Sequence, residues 1–512
     1  MKSKITLTLL AILAAFIRIL LISRDSVPFA YDMGRDLLWA KDISFYHIPT
    51  LIGPAASIWG VYFQPFWYYF LASPLLISGG NPLSAVYATA STVVLTGILA
   101  FILFRKYLPK IYIFTLTVLL LFSSNLVNIS TFAFHANTLP LLTLLVTYFT
   151  FLAVVKNPLY LALSTLAVSL MFSADPAPAV AFTIVLVFFF LFFKFFKSKQ
   201  GLKTFLLSLI AYLIPFIPQI LFELRNNFIQ TKSLLAYFMG NNPSLSGHLP
   251  LLERIPNRIL VYFDFLKSNF APQNLLAIGL IIFTVFGIYK LAKAKSKFST
   301  FNFQLSILFK INLYIFIITF LVNTFLVTVE IKNWYLYGLA VNVAFLIVFA
   351  LIGLKSKGGL LIFLIIFLTT NLMPVARNEK IAKSKKDPAQ LSNQMRAIEL
   401  IYQDTQTPFS VYVYTPSVYD LNYQYLFWWQ GVEKRRGLPS DFAYLPNKPD
   451  YVRNKSKYFV NPKMENTIYL IIENAPENEF YTSASWQTNF RNYKIIWEKN
   501  VNGAIAVQKI SK

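Results

Sequence analysis

The stretch FAYDMGRDLLWAKDI, Phe29 to Ile43, holds three acids and two bases in fifteen residues of a chain that is otherwise strongly apolar. It follows a greasy segment, Ile5 to Ile22, that opens with Lys2 and Lys4. Charges so dense do not lie in hydrocarbon, where each one at a helix centre costs about 2.5–3.5 kcal/mol. The stretch therefore reads as part of a loop beside the membrane, and the rest of the chain decides on which side.

The chain has 512 residues, 56% of them hydrophobic, and a mean hydropathy of +0.56. Apolar runs near the length of a bilayer span recur up to about residue 375, which predicts a polytopic α-helical membrane protein. About eleven spans are expected, at 5–22, 81–104, 110–128, 136–155, 158–173, 176–196, 202–222, 272–290, 304–328, 334–354 and 358–375. The segment FWYYFLASPLLIS, Phe66 to Ser78, is too short to span and reads as an interfacial or re-entrant helix in a first external loop, 23–80. A second external loop covers 223–271 and contains the turn-rich NNPSLSGHLP. The first apolar segment lacks a small-residue cleavage site and is expected to stay as a helix.

The net charge of +24 is a topology signal. Up to residue 375, alternate loops hold only Lys and Arg, among them Arg105, Lys106, Lys156, Lys203, Lys290 and Lys355, and every Asp and Glu falls on the other side. The positive-inside rule then places the N-terminus in the cytoplasm and the acidic loops outside. Nucleic acid is not expected as a partner; the bilayer is. Cysteine is absent, so thiolate metal sites are excluded, and with only His47, His135 and His248 present a His-rich one is not expected.

From about 376 polarity rises. VARNEKIAKSKKDPAQ reads as a linker, Leu391, Met395, Ile398 and Ile401 recur at helical spacing, and FSVYVYTP, TIYLIIEN, NYKIIWEKN and AIAVQKI read as strands. The expected organisation is a transmembrane domain, 1–375, and an extracytoplasmic α/β domain, 376–512. The aromatic run Tyr419 to Gly431 suits a core or membrane-docking segment, or a sugar-stacking surface.

Within the opening stretch, Asp32, Arg35 and Asp36 share one face if Met33 to Ile43 is helical. The bland reading makes Asp32 an N-cap and Asp36 the partner of a surface base. A carboxylate beside a guanidinium is a weak base, yet it can orient a hydroxyl and take its proton late in a transition state. Further on, Gln64-Pro65-Phe66-Trp67-Tyr68-Tyr69 gives a proline-led aromatic segment with polar tips. His135 and Asn137 open one span, PFIPQILFELRNNF ends another at Glu223 and Arg225, and EIKNWYLYGL brings Glu330, Lys332, Trp334 and Tyr335 to the start of a late one. Arg18 reads as snorkelling or paired to a loop acid, and Asp175, before Pro176, as a helix cap.

The order of these segments resembles the GT-C glycosyltransferases, specifically the family 39-like membrane enzymes that include protein O-mannosyltransferases and the lipid A aminoarabinose transferase. Their loop motif resembles Asp-Glu-x-x-Tyr or Asp-Glu-x-Arg-Tyr; this chain reads Asp32-Met33-Gly34-Arg35-Asp36. Met33 stands where Glu is usual, Asp36 where Tyr is, Gln64 where a base is, and Asn137 where relatives often carry Asp. The resemblance implies a sugar taken from a polyprenyl-phosphate donor outside the cytoplasmic membrane and passed, with inversion, to an acceptor glycan, lipid or protein. It implies Asp32 and Asp36 as the catalytic acids. Arg35, Arg225, Lys332 and Gln64 would lie against the donor phosphate. Tyr68, Tyr69, His135, Asn137, Trp334 and Tyr335 would line the substrate pocket. No cofactor is identified; a divalent metal is admissible, with Asp32 and Asp36 as its ligands. A transporter or flippase of lipid-linked glycans and a non-catalytic glycolipid-binding scaffold are the competing readings. The first is weakened by few mid-helix charges and no internal repeat.

Overall fold

The structure is a computed structural model. It describes residues 2–23, 27–192, 199–240, 249–294, 303–376, 385–405, 408–417, 419–442, 464–477, 479 and 481–512. Parts of the expected basic loop near 194–199, of the turn-rich stretch and of the linker lie outside these residues.

The chain opens with α1 (Lys2–Ser23), the charged α2 (Tyr31–Tyr46) and the short apolar α3 (Phe66–Ile77). Then follow α4 (Pro82–Phe104), α5 (Lys110–Phe122), α6 (Ser124–Ile129), α7 (Leu139–Val155), α8 (Leu161–Ala174), α9 (Pro176–Phe192), α10 (Lys199–Leu213) and α11 (Ile217–Arg225). The membrane part continues with α12 (Ile229–Phe238), α13 (Leu251–Phe270), α14 (Asn274–Ala294), α15 (Phe303–Phe325), α16 (Leu339–Leu354) and α17 (Lys357–Ala376). Six helical stretches among the described residues are long and apolar enough to cross a membrane: Lys4–Ser23, Pro82–Phe104, His135–Val155, Gln200–Arg225, Asn274–Lys293 and Phe303–Phe325. Shorter apolar helices, Lys110–Phe122, Pro158–Ala174, Pro176–Leu191, Leu339–Leu354 and Lys357–Met373, occupy the remaining expected spans. The protein is a multi-pass membrane protein.

Local chemistry explains the breaks. Ser123 ends α5 and caps α6, its hydroxyl accepting from the Leu126 N–H at 3.4 Å. Pro215 sits in a 3-10 turn, Ile214–Phe216, that joins α10 to α11 within one apolar stretch. Inside the bundle, polar side chains bond to one another: Asn342 donates to Thr147 at 3.1 Å and to Asn312 at 2.9 Å, linking α16, α7 and α15. Gly287 and Gly353 let α14 and α16 approach closely, since a Cβ on Gly353 would meet the Gly287 carbonyl.

The second loop differs from its expected reading. It contains α12 and the twenty-residue α13, which buries Arg254 and Arg258 on one face. The helical period was present in the sequence, but Pro256 and the loop's charge obscured it.

The C-terminal part places α18 (Leu391–Asp404) and α19 (Leu421–Trp428) beside a five-stranded sheet, with a short α20 (Ser483–Gln487). The strands are β1 (Ser410–Tyr414), β2 (Asp441–Phe442), β3 (Ile468–Glu473), β4 (Lys494–Val501) and β5 (Ile505–Ser511), in the order β2-β1-β3-β5-β4. β1 runs parallel to β2 and β3; β5 runs antiparallel to β3 and β4. Every residue of β1 and β3 is buried, as expected of inner strands covered on both faces.

This sheet layer does not hang free. One hydrophobic core runs from Phe29, Met33 and Leu37 of the first loop through Trp67 and Leu71 of α3 to Ile398, Tyr425 and Trp428. Gly34 packs so tightly on α19 that a Cβ there would strike the Asn422 backbone. Tyr425 and Trp429 donate to the Gly80 and Gly79 carbonyls at 2.7 and 3.0 Å, and Trp428 donates to the Tyr46 hydroxyl at 2.8 Å. The aromatic run Tyr419 to Gly431 is thus mostly core between the sheet and the charged loop helix.

Candidate active site

The helix that carries the charged stretch is α2. Its N-cap is Ala30, with no side-chain cap, so Asp32 is not the cap but a first-turn acid that favours the helix dipole. It ends at His47 in the left-handed region (φ 54°), whose N–H bonds to the Asp42 carbonyl.

Spacings of three and four residues put Asp32, Arg35 and Asp36 together. Arg35 Nη1 meets Asp32 Oδ1 at 2.7 Å, and Nη2 meets Asp36 Oδ1 at 2.8 Å. Arg35 Nε also donates to Asp36 Oδ1, at 2.9 Å. The two acids differ in environment: the Asp32 side chain is 39% exposed and that of Asp36 2%. Asp36 has its other oxygen taken by Trp67 Nε1 at 2.8 Å. Burial pushes the Asp36 carboxyl up to about 6, against the pull of Arg35 and the indole N–H. The partner of Asp36 is therefore a largely buried guanidinium, not a surface base. The cluster leaves one carboxylate, Asp32, open to solvent.

The proline-aromatic segment meets this cluster through Trp67. Pro65 precedes α3 and starts its first turn. Tyr68 is buried and its ring stacks on Trp39 at 5.8 Å and 6°. Tyr69 is partly exposed, and its hydroxyl both accepts from the Thr50 N–H at 3.1 Å and donates to the Thr50 carbonyl at 3.0 Å. Gln64 is fully buried against the end of α8: its Oε1 accepts from Ser173 at 3.3 Å, while Nε2 has no partner.

An aromatic path leads from Trp67 to the far side of the site. The His135 ring lies edge-on to Phe63 at 4.9 Å and to Trp67 at 6.4 Å, and its Nδ1 bonds to the Ala174 carbonyl. Phe134 contacts His135 at 4.1 Å and Trp334 at 5.6 Å. Trp334 Nε1 donates to Asp175 Oδ2 at 3.1 Å, and Asp175 Oδ1 accepts from the Ala177 N–H at 2.9 Å. Asp175 thus caps α9, as read from Pro176, and also anchors Trp334. Tyr335 lies edge-on to Trp334 at 6.0 Å.

The remaining candidates stand apart from the cluster's hydrogen bonds. Asn137 is buried and donates to the Ile129 and Phe132 carbonyls at 2.7 and 3.0 Å. Lys332 pairs with Glu330 at 2.6 Å, both partly exposed. Arg225 is exposed on the last turn of α11. Glu223 receives the Gln230 and Thr231 N–H groups, each at 2.9 Å, and so anchors the start of α12. Arg18 neither snorkels nor pairs with an acid: it is buried and donates to Ser130 and to the Ala14 and Leu121 carbonyls at 3.0–3.1 Å. Trp67 as the donor to Asp36 and Asp175 as the acceptor for Trp334 were not assigned from sequence. No sequence signal links residues 31 and 159 positions apart.

No family model and no curated protein matches the chain. Solved structures do. The crystal structure of ArnT from Cupriavidus metallidurans bound to undecaprenyl phosphate is 13% identical, with a TM-score of 0.57 over 99% of this chain and 97% of that one. The same protein in the apo state is 11% identical, with a TM-score of 0.59 over 99% and 98%. ArnT is the lipid A aminoarabinose transferase, so the expected architecture holds along almost the whole chain: this protein has a GT-C type fold.

Proposed function

We infer that this protein is an integral-membrane glycosyltransferase that moves a sugar from a polyprenyl-phosphate donor to an acceptor hydroxyl at the outer face of the cytoplasmic membrane. The observation that carries the reading is the unequal pair on α2: Asp36 is buried with both oxygens engaged, and Asp32 is left open beside the same guanidinium. The likeness to a fold whose solved example holds undecaprenyl phosphate supports the donor class.

In the proposed step the acceptor oxygen attacks the anomeric carbon and its proton passes to Asp32. The bond from that carbon to the phosphate oxygen breaks, and its electron pair leaves with the polyprenyl phosphate. Cations favour that step because negative charge develops on the phosphate. Arg35, Arg225 and Lys332 are the proposed donors, with the unpaired Gln64 Nε2 as a neutral one. Asp36 fixes Arg35 rather than reacting. Its committed oxygens also make Asp32 and Asp36 a poor fit for a divalent metal, and the step uses none. The proposed orientation, N-terminus in the cytoplasm and sheet domain outside, is supported by the basic loops.

The test is sugar transfer from a panel of polyprenyl-phosphate sugars to acceptor extracts by the purified protein, beside Asp32→Asn. Transfer that disappears in the variant, with folding intact, supports the reading; transfer undiminished in the variant sinks it.

A further inference from the structure

The junction between α2 and the sheet domain buries five aromatic side chains completely: Phe29, Tyr423, Tyr425, Phe427 and Trp428 are all at 0% exposure. Besides Tyr46, which is 39% exposed and accepts from Trp428, two rings at its edge reach solvent. Tyr31, the residue before Asp32, is 36% exposed, and Tyr419, which leads into α19, is 37% exposed. They stack on each other at 5.8 Å and 28°. One comes from the helix of the catalytic acid and the other from the sheet domain.

We propose that Tyr31 and Tyr419 form a platform on which a saccharide ring of the acceptor rests while its hydroxyl reaches Asp32. This rests on the glycosyltransferase reading and names its acceptor class. Three features favour a sugar. Tyrosines give rigid, flat, amphipathic contact area at low entropic cost, which suits a ring with apolar C–H faces and a hydroxyl rim. Of the neighbouring residues that reach solvent, Asp32 and Ser417 are polar and Ala30 is too small to hold an acyl chain, which suits a hydroxyl rim. The platform is also rigidly built. Phe29, two residues before Tyr31, accepts through its carbonyl from Gln394 at 3.1 Å and from Asn422 at 3.5 Å, and Gly34 abuts the Asn422 backbone. The sheet domain would then contribute directly to acceptor recognition.

The test is a binding measurement that needs no turnover. Full-length protein in sugar-free nanodiscs is mixed with a panel of methyl hexopyranosides, and saturation transfer to the ring protons is read by NMR. Wild type and Asp32→Asn should both show transfer to at least one glycoside. Tyr419→Ala should weaken that binding about tenfold, the loss expected when one stacking face is removed, and Tyr419→Trp should restore it. Tyr31→Ala, on the other half of the stack, is the second variant should Tyr419→Ala fail to fold. Absence of any glycoside signal on wild type, equal signal on both alanine variants, or competition only by a serine-rich peptide or a lipid alcohol overturns the proposal. Loss of activity in Asp32→Asn is scored separately, so failure of the platform and failure of the transferase reading are distinguishable.

Discussion

Helices α2 and α13 both lie in loops between spans, and each carries five charged residues. Their arginines are used in opposite ways; α13 also carries a partly exposed pair, Lys267 with Asp264 at 2.7 Å. On α13, Arg258 donates to the carbonyls of Asn323, Val327 and Val329 at 2.6–3.0 Å, and Arg254 donates to those of Leu249, Thr324 and Phe325 at 2.8–3.3 Å. All but the Leu249 carbonyl, which precedes α13, lie at and beyond the end of α15, where a helix leaves its last acceptors unpaired. On α2, Arg35 is shared by two carboxylates, and one of them stays open. Charge that ends on backbone carbonyls fastens a helix. A largely buried guanidinium shared between a buried carboxylate and an open one can act on a ligand.

The largest expected effect follows from that contrast. Asp32→Asn should cut transfer by about 10²–10⁴-fold, the usual worth of a positioned acid or base, with no change in thermal melting. Near-wild-type transfer would erase the distinction between the helices. Asp36→Ala leaves Arg35 with one partner in a buried setting, and should cost about 3–5 kcal/mol of stability. Its melting temperature should fall, and its transfer should drop less than that of Asp32→Asn; the reverse ranking would make Asp36 the reacting acid. Arg258→Ala strips carbonyls of a charged donor and should cost about 2 kcal/mol, with transfer per folded molecule unchanged. A selective loss of turnover there would bring α13 into the site.

The smallest effect concerns pH. Glu473, at the end of β3, accepts from the Tyr423 hydroxyl at 2.9 Å, and burial pushes its carboxyl from 4.5 up to about 7. Between those values the folded protein keeps a proton that the unfolded chain releases, so stability falls as pH rises through the window. Melting temperature measured from pH 5 to pH 8 should therefore decline, and Glu473→Gln should flatten the slope. Because Tyr423 lies on α19, which packs on α2, a pH effect on transfer that Glu473→Gln removes would show that the sheet domain acts on the site, whereas one that persists belongs to Asp36.

Much of the fold was legible because it is local. Apolar run length marks spans, the spacing of Asp32, Arg35 and Asp36 puts them on one face, and alternating β-formers mark β1, β3 and β5. What escaped was local only in part. The period of α13 was readable, but not that its arginines would find carbonyls some seventy residues away in sequence. Asn137 and Tyr69 look alike as polar side chains near a membrane surface, yet one donates to carbonyls beside α6 and the other to the loop at Thr50.

The sequence by itself determined that this is a multi-pass membrane protein, with an acidic cluster in a loop and an α/β layer after the last span. Chain period, hydropathy and charge placement are properties of neighbouring residues, so they can be read in order. Only the tertiary structure decided that Asp36 is buried under Trp67, that Asp175 holds Trp334, and that the sheet layer closes over α2 and leaves Tyr31 and Tyr419 in the open. Those outcomes depend on which helix faces meet, and burial of a charge is set by the partner that packing brings to it rather than by its neighbours in the chain.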